Sequence, residues 1–281
     1  MITNLYRDHP FLLCVLRVPR QRRIWNNIIT QPLIRKKDTR AEWFWGEVNL
    51  SFAAAEVFCY SLIMNQEILS LSKNARHLGI ELNEQQMAQF DIYKNELLQW
   101  NAKTNLISEN SSQEIITRHF LDSLTALQFI GKPNARIIDV GCGAGFPGLP
   151  LKIALPTLKL YLLETNRKKV SFLKHIIRLL NLSAAFVLHD RVENIIKTDT
   201  WKKKFDVLIS RAAFKLSELL PQGEYFLDLG GKLIALKGPN VDEELAQCSS
   251  VKNQYKISQF IQHDINIPFW EAHRKIIIVK K

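Results

Sequence analysis

The sequence predicts an α/β protein with a mostly parallel, doubly wound sheet, preceded by a small helical cap. After Pro133, short apolar runs of strand character alternate with amphipathic stretches of helical period, which is the pattern of βαβ units. A glycine-rich loop follows the first apolar run, as is common where a parallel strand ends at a ligand. Residues 64–130 contain only helical periodicity. We therefore divide the chain into an N-terminal extension (1–63), this helical cap and an α/β domain (131–281).

Three helices are predicted in the helical cap. The first covers residues 66–78 and ends at Gly79, a usual C-terminal cap. Asn83 caps the second helix, and Gln86 stands where a capping box requires it. The third helix begins near Ser112, and its apolar stripe follows the i, i+3, i+4 period. The stripe consists of Ile115, Ile116, His119, Phe120, Ser123, Leu124 and Leu127.

The α/β domain contains seven predicted strands. A helix that begins at Pro147 follows the first strand, since proline suits the first helical position. An amphipathic helix that Asn181 closes follows the second. The strands cover residues 136–140, 158–164, 185–188, 205–210, 232–236, 255–261 and 275–279.

The composition is that of a folded, basic protein. The 281 residues include 38 Lys+Arg and 27 Asp+Glu, a net charge of +11, and 47% of them are hydrophobic, which is incompatible with a wholly disordered chain. No apolar run reaches the ~18 residues that span a bilayer. The four cysteines lack CxxC or Cys/His spacing, which argues against zinc modules and disulfide scaffolds and favours the cytoplasm. The positive charge suggests a polyanionic partner, most simply nucleic acid.

Residues 1–63 differ in texture from the rest of the chain. They hold nine Lys+Arg, five Asp+Glu and three of the six tryptophans, but only one glycine, Gly46. They show no sustained helical or strand period. We expect the functional protein to begin at Met64, with the extension a misassigned start, and the alternative is a genuine, flexible N-terminal arm. Residues 64–281 alone carry 29 − 22 = +7 charges.

The glycine-rich loop directly follows the first predicted strand. It contains Gly141, Gly143 and Gly145, and glycine lets a backbone turn sharply and approach a ligand closely. The second strand ends at Glu164, 19 residues after the third glycine. An acid at that position commonly accepts hydrogen bonds from a pair of ribose hydroxyls. Strand, loop, helix and acid together indicate an adenosine-type cofactor.

Two classes of cofactor fit this description. A dinucleotide loop would read Gly-x-Gly-x-x-Gly, but the sixth position here is Phe146. The loop instead reads Gly-x-Gly-x-Gly, with Asp139 two residues before it, and resembles the S-adenosylmethionine loop of class I methyltransferases. We therefore favour a Rossmann-like, class I S-adenosylmethionine-dependent methyltransferase over a dehydrogenase.

Seven further segments occur in a characteristic order and spacing. They are WNAKTNL (100–106), RHFLDSL (118–124), FPGLPL (146–151), RKKVSFL (167–173), RVE (191–193), SRA (210–212) and ALKG (235–238). With them, residues 64–281 resemble the glucose-inhibited division protein B family, the bacterial small-subunit ribosomal RNA methyltransferase G. The resemblance implies methylation of a guanine N7 in the decoding region of 16S rRNA. Asp190 departs from the family pattern, in which glycine or serine is more usual, and residues 1–63 have no counterpart in it.

The resemblance also implies contacts with S-adenosylmethionine. It places Gly141 and Phe146 against the cofactor, and Val192 and Glu193 beside its adenine. Arg211 falls near its amino-acid end or the substrate, since an arginine at the carboxyl end of a central strand faces the binding crevice. Core packing for the apolar side chains and a surface ion pair for the arginine are the structural alternatives. The complete set of predicted cofactor residues is Gly141, Gly143, Gly145, Phe146, Glu164, Val192, Glu193 and Arg211.

The catalytic residue is left unassigned. Guanine N7 carries an in-plane lone pair, so the enzyme needs alignment of donor and acceptor more than a general base. The third helix contains a histidine that is either partly buried or part of the pocket wall, and Arg118 there can pair with Asp122 on one helix face. The basic runs 167–169 and 202–204 are either solvated faces or phosphate contacts. The candidates for positioning the base or the RNA are Arg118, His119, Arg191 and Lys237.

The expected partner is 16S rRNA, either naked or within the 30S subunit. We expect a monomer without a metal ion and without membrane association. One alternative is a methyltransferase of another RNA position or of a small molecule. Another is a non-catalytic ribosome-binding protein of the same fold, although the intact glycine loop and Glu164 argue against it.

Overall fold

A computed structural model describes residues 66–249, 254–255, 258–267 and 273–280, and the predictions for residues 1–63 lie outside this part. The strands are β1 (Arg136–Val140), β2 (Lys159–Glu164), β3 (Ala185–His189), β4 (Phe205–Arg211), β5 (Leu227–Lys237), β6 (Gln259–Asn266) and β7 (His273–Lys280). They form one sheet in the order β3-β2-β1-β4-β5-β7-β6. β1 to β5 are parallel, whereas β7 runs antiparallel to β5 and β6. The predicted mostly parallel seven-stranded sheet is confirmed.

Helices cover both faces of the sheet. They are α1 (Gln66–His77), α2 (Glu84–Thr104), α3 (Ser112–Glu114, Ile115–Leu121 and Asp122–Leu124 in succession), α4 (Gly148–Ala154), α5 (Arg167–Leu179), α6 (Val192–Ile195), α7 (Leu216–Phe226) and α8 (Asp242–Ser249). One hydrophobic cluster joins α1 to α5 with one face of the sheet. A second joins α6 to α8 with the other face. Neighbouring strand residues serve opposite clusters, as Ile137 and Ile138 do, because side chains alternate along a strand.

The strand order creates a crevice at one edge of the sheet. From β1 the chain continues through α4 to β2 on one side, while β4 pairs with the other side of β1. In open parallel sheets, ligands bind outside the carboxyl ends of strands at such a reversal of strand order. The C-terminal ends of β1, β2 and β4 are therefore where a ligand site is expected.

The first two helices begin and end as their sequences predict. Gly79 follows α1 with a φ of +74°, in the left-handed region that glycine tolerates. Asn83 and Gln86 form the capping box of α2, with both hydrogen bonds 2.9 Å long. In α3, residues Ile115–Leu121 form a π-helical turn. The apolar stripe in the sequence does not distinguish a π-helical turn from an α-helical one, because the two conformations bury the same side chains over so short a segment.

The helix α2 is fastened to the crevice. The side-chain amide of Gln86 donates to the carbonyl oxygens of Ile153 and Ala154, at the end of α4, at 3.0 and 2.9 Å. The Tyr93 hydroxyl donates to the carbonyl oxygen of Ala144, inside the glycine loop, at 2.7 Å. The loop therefore takes its shape in part from a helix that precedes it by some fifty residues.

Some predicted boundaries are wrong. The strand expected at 255–261 is β6, which begins at Gln259 because its antiparallel pairing with β7 extends from there to Asn266. β5 is longer than expected, since pairing with β4 resumes beyond a register shift. Helix α4 begins at Gly148, one residue after Pro147. Within the described ranges, no helix is long and apolar enough to cross a membrane.

Candidate active site

The glycine loop at the end of β1 is closely packed at its two outer glycines and open at its middle glycine. Gly141, Gly143 and Gly145 have φ angles of +69°, +60° and +107°, which disfavour any residue with a side chain. A Cβ at Gly141 would lie 2.7 Å from that of Ala213. At Gly143 the nearest atom would be Lys169 Nζ, 3.9 Å away. The loop therefore presents free space beside its middle glycine.

Glu164, at the end of β2, holds this loop. Its Oε2 accepts a hydrogen bond from the backbone N–H of Gly143 at 2.9 Å. Its Oε1 accepts from the N–H groups of Thr165 and Asn166, both at 2.8 Å. A carboxylate offers about four acceptor sites, so Oε2 keeps one for a further donor. The residue as a whole is only 8% exposed.

Asp139 lies beneath the loop, on β1. Its side chain is fully buried, and Oδ2 accepts from the N–H of Gly148 at 2.7 Å. Within the described part of the chain, Oδ1 has no hydrogen-bond partner. Burial raises the pKa of this carboxyl to about 7, because removal from water disfavours the charged form. The floor of the crevice thus contains an unsatisfied acceptor.

Arg211, at the end of β4, is clamped by α3. Its Nη1 donates to the carbonyl oxygen of Arg118 at 2.8 Å and to Asp122 Oδ2 at 3.2 Å. Its Nη2 lies 2.7 Å from His119 Nδ1. The guanidinium carbon lies 5.0 Å from the ring centre of Phe146, within cation–π range. The side chain is 14% exposed, and its orientation is set by these four partners.

The tautomer of His119 follows from its neighbours. A guanidinium only donates hydrogen bonds, so Nδ1 must accept from Arg211 and the proton must reside on Nε2. That proton is donated to Glu109 Oε2 at 2.8 Å. Burial and the charge of Arg211 lower the pKa of His119 to about 4, so the ring is neutral at pH 7. It stacks on Phe146 at 4.6 Å, and Tyr93 stacks on the same ring at 5.5 Å.

Asp122 joins three elements beside the clamp. It is fully buried on α3, with Oδ2 at 3.2 Å from Arg211 of β4. Its Oδ1 lies 2.9 Å from Nε of Arg274, on β7. One carboxylate therefore faces two guanidinium groups, and its single negative charge balances one of their two positive charges.

The sequence profile of the GidB family, described as rRNA small subunit methyltransferase G, matches residues 86–276. The chain belongs to this family. The expectation drawn from the seven segments is confirmed, and so is the class I methyltransferase fold.

Named relatives of this family cover most of the chain. A ribosomal RNA small subunit methyltransferase G of Syntrophus aciditrophicus is 42% identical over 208 residues, 74% of this chain and 86% of the relative. One of Desulforamulus reducens is 35% identical over 222 residues, 78% and 91% of the two chains. Among solved structures, a predicted O-methyltransferase of Agrobacterium tumefaciens is similar with a TM-score of 0.46 and 21% identity, over 58% of this chain and 79% of that one.

The predicted cofactor residues lie along the crevice. The three loop glycines, Phe146 and Glu164 lie at the ends of β1 and β2, and Arg211 ends β4. Phe146 is 3% exposed under the His119 ring, so it packs as core as well. Val192 and Glu193 open α6 after β3, the first buried and the second exposed. Their contacts with a family cofactor stay a prediction.

The ion pair that the spacing allows between Arg118 and Asp122 does not form. Asp122 is buried and faces two other arginines, whereas Arg118 is 47% exposed and lies 3.6 Å from Glu114 and 3.9 Å from Glu109. The spacing of four residues allowed the pair, but long-range partners from β4 and β7 take the carboxylate.

The other RNA candidates differ in accessibility. Arg191 is exposed at the start of α6. Lys237 is buried, and its ammonium donates to the Phe214 carbonyl oxygen at 2.7 Å and to Glu244 Oε2 at 2.8 Å. Its position at a strand end is as expected, but its charge is used within the fold. His119 is the partly buried histidine that the stripe predicts.

Sequence reasoning missed three participants. They are Tyr93, Glu109 and Arg274, which no sequence motif singles out. Glu109 lies 10 positions before its partner His119, and Arg274 lies 152 positions after its partner Asp122. No local sequence pattern predicts such partners. Only the polar residues within the apolar stripe of α3 indicate that hydrogen-bonding partners must exist.

Proposed function

We propose that this chain transfers a methyl group from S-adenosylmethionine to the N7 of a guanine in 16S rRNA. Membership of the rRNA small subunit methyltransferase G family supports the reaction. The structural observation that carries the proposal is the crevice itself: an open space at Gly143, flanked by Glu164 and underlain by the unsatisfied Oδ1 of Asp139.

The chain's own groups suit this cofactor. The remaining acceptor site on Glu164 Oε2 is positioned for a ribose hydroxyl. Asp139 Oδ1 offers a second acceptor below the loop, and Arg211 offers positive charge at the end of β4 for the cofactor carboxylate. Val192, at the start of α6, provides an apolar surface for the adenine. Each assignment rests on chemistry and position.

The reaction requires little proton transfer by the protein. S-adenosylmethionine supplies an electrophilic methyl group on a sulfonium. Guanine N7 attacks with a lone pair that carries no proton, so alignment contributes most of the acceleration. His119 suits a positioning role, because Arg211 and Glu109 occupy both of its ring nitrogens. The chain thus holds the acceptor base against a rigid wall.

The substrate is 16S rRNA, reached in the cytoplasm. The charge of +11 suits an RNA partner. Two arms of the same experiment decide whether the enzyme acts on naked rRNA or on the assembling 30S subunit, and we expect it to act as a monomer.

The test supplies labelled S-adenosylmethionine with undermethylated 30S subunits and, separately, with naked 16S rRNA. The product is mapped by strand scission at N7-methylguanine. We expect one labelled guanine. Folded protein that labels neither substrate would overturn the proposal, and label at another atom would assign a different methyltransferase. Cofactor binding by calorimetry without methyl transfer would favour a ribosome-binding protein of the same fold.

A further inference from the structure

The free edge of the sheet has an unusual surface. Among the strands that the structure describes, β3 lies at one edge of the sheet and pairs only with β2. Native proteins usually protect such edges with lysine, proline or a covering element, but β3 reads Ala-Phe-Val-Leu-His. A concavity of about 570 Å³ runs along this strand. An unprotected strand beside a concavity is a surface that a partner can cover.

One side of the concavity is aromatic. Phe186 projects from β3 with 47% of its surface exposed. Its ring lies 5.0 Å from that of Tyr161, which in turn lies 5.3 Å from that of Trp201. All three rings line the concavity. They form a stepped platform of the kind on which unpaired nucleobases stack.

The other side of the concavity is cationic. Helix α5 carries five Lys and Arg residues in 13 positions and no acid. Lys174 and Arg178, one turn apart, are exposed and are the charged residues that line the concavity. Within the described ranges, neither makes an ion pair. Two such cations beside an aromatic platform match the phosphate and base contacts of single-stranded RNA.

We propose that this edge surface, formed by Phe186, Tyr161 and Trp201 with Lys174 and Arg178, binds an unpaired segment of the rRNA substrate away from the methyl-transfer crevice. The inference rests on the proposed function, because it takes RNA as the partner. RNA is favoured over a protein strand, since the concavity is lined by positive charge without any acid. Bases stack on the rings, and the two cations contact phosphates.

The test compares two variants with matched controls in the full chain. Phe186→Ala removes the exposed ring, and Leu69→Ala on α1, also 47% exposed, is its control. Lys174→Ala/Arg178→Ala removes the cations, and Lys73→Ala/Arg76→Ala on α1 is the control pair, since both of its residues are exposed. Affinity for a naked 16S rRNA fragment is measured by fluorescence anisotropy over a range of salt, without cofactor.

We expect the Phe186 variant to bind RNA about fivefold or more weakly. The double cation variant should bind about tenfold more weakly and lower the salt slope by about 1.4, as loss of two single-strand phosphate contacts requires. Unchanged RNA affinity in both variants, or equal losses in the controls, would overturn the inference. Weaker binding only to 30S subunits would also overturn it and assign the surface to a ribosomal protein.

A second readout separates this inference from the proposed function. Methyl transfer to the natural substrate should show a raised KM with kcat little changed, because none of the five residues of the edge surface belongs to the proposed cofactor contacts. Wild-type protein that binds RNA through the edge surface but labels no guanine would support the inference and overturn the proposed methyl transfer. Unfolding midpoints of all variants check that each is folded.

Discussion

The two sides of the crevice handle polar groups differently. On the loop side, Asp139 has one oxygen without a partner among the described residues, and Gly143 borders open space. On the arginine side, Arg211 contacts both His119 and Asp122, and the other oxygen of Asp122 lies 2.9 Å from Nε of Arg274 in an ion pair. Buried polar groups are normally paired, so the unpaired oxygen marks the loop side as the part prepared for a ligand. The arginine side is a wall whose geometry is complete before a ligand arrives.

The largest expected loss of stability follows from removing Asp122 on the arginine side. Asp122→Ala leaves two guanidinium groups, 14% and 24% exposed, without their common carboxylate. Removing one partner of a buried ionic group lowers the free energy of unfolding by about 3–5 kcal/mol, which urea denaturation measures. Asp199→Ala is the control, because Asp199 is 83% exposed in its ion pair with Lys202. Similar losses in both variants would show that Asp122 does not organise the wall.

The two sides should respond to pH in opposite directions. The pKa of His119 falls from 6.5 to about 4 on folding. The unfolded chain then binds more protons, so as pH falls from 6.5 to 4 this group destabilises the fold by up to about 3 kcal/mol. The pKa of Asp139 rises from 3.8 to about 7, so it stabilises the fold as pH falls from 7 to 3.8.

Single variants separate these opposed contributions. Unfolding free energies measured between pH 4 and 7 should fall less steeply on acidification for His119→Gln than for wild type. For Asp139→Asn they should fall more steeply, because the compensating protonation is lost. Parallel curves for all three proteins would contradict both assignments.

A smaller loss of stability is expected on the loop side. Gly143→Ala places a side chain at a φ of +60°, which lowers the unfolding free energy by about 1–2 kcal/mol. Its Cβ also enters the open space, so affinity for S-adenosylmethionine should fall more than tenfold by calorimetry. Gly230→Ala has comparable strain, with a φ of +74° and no atom within 4 Å of the added Cβ. Equal cofactor affinity in the two variants would remove Gly143 from the proposed site.

The smallest effect belongs to the rim of the wall. Arg118 is 47% exposed, and its carboxylate partners lie at 3.6 and 3.9 Å. Exposed ion pairs contribute little, so Arg118→Ala should change the unfolding free energy by less than about 0.5 kcal/mol. A raised KM for rRNA at unchanged stability would support its RNA role. A large loss of stability would show that Arg118 also organises α3.

Much of the loop side was predictable from sequence, and much of the wall was not. Strand, glycine loop and Glu164 are contiguous or periodic features, so short-range patterns indicate them. The partners of His119 and Asp122 come from a loop and from two strands distant in the chain. The π turn of α3 was missed for a related reason, since burial pattern alone does not report the hydrogen-bonding register.

Antiparallel pairing also limited the sequence interpretation. The central strands β1, β2 and β4 were located to within one residue, because burial on both faces makes them continuous apolar runs. The bounds of β6 depend on its pairing with β7. An antiparallel partner sets these limits, and it is not readable from the segment itself.

The hydrogen bond from Tyr93 to the Ala144 carbonyl oxygen couples α2 to the glycine loop. Any ligand that tightens the loop must, by reciprocity, tighten this helix as well. Amide hydrogen exchange along α2 should therefore slow when S-adenosylmethionine binds, although α2 contributes no side chain to the proposed cofactor contacts. Slower exchange in α2 would then report binding of a cofactor to which this helix contributes no contact of its own.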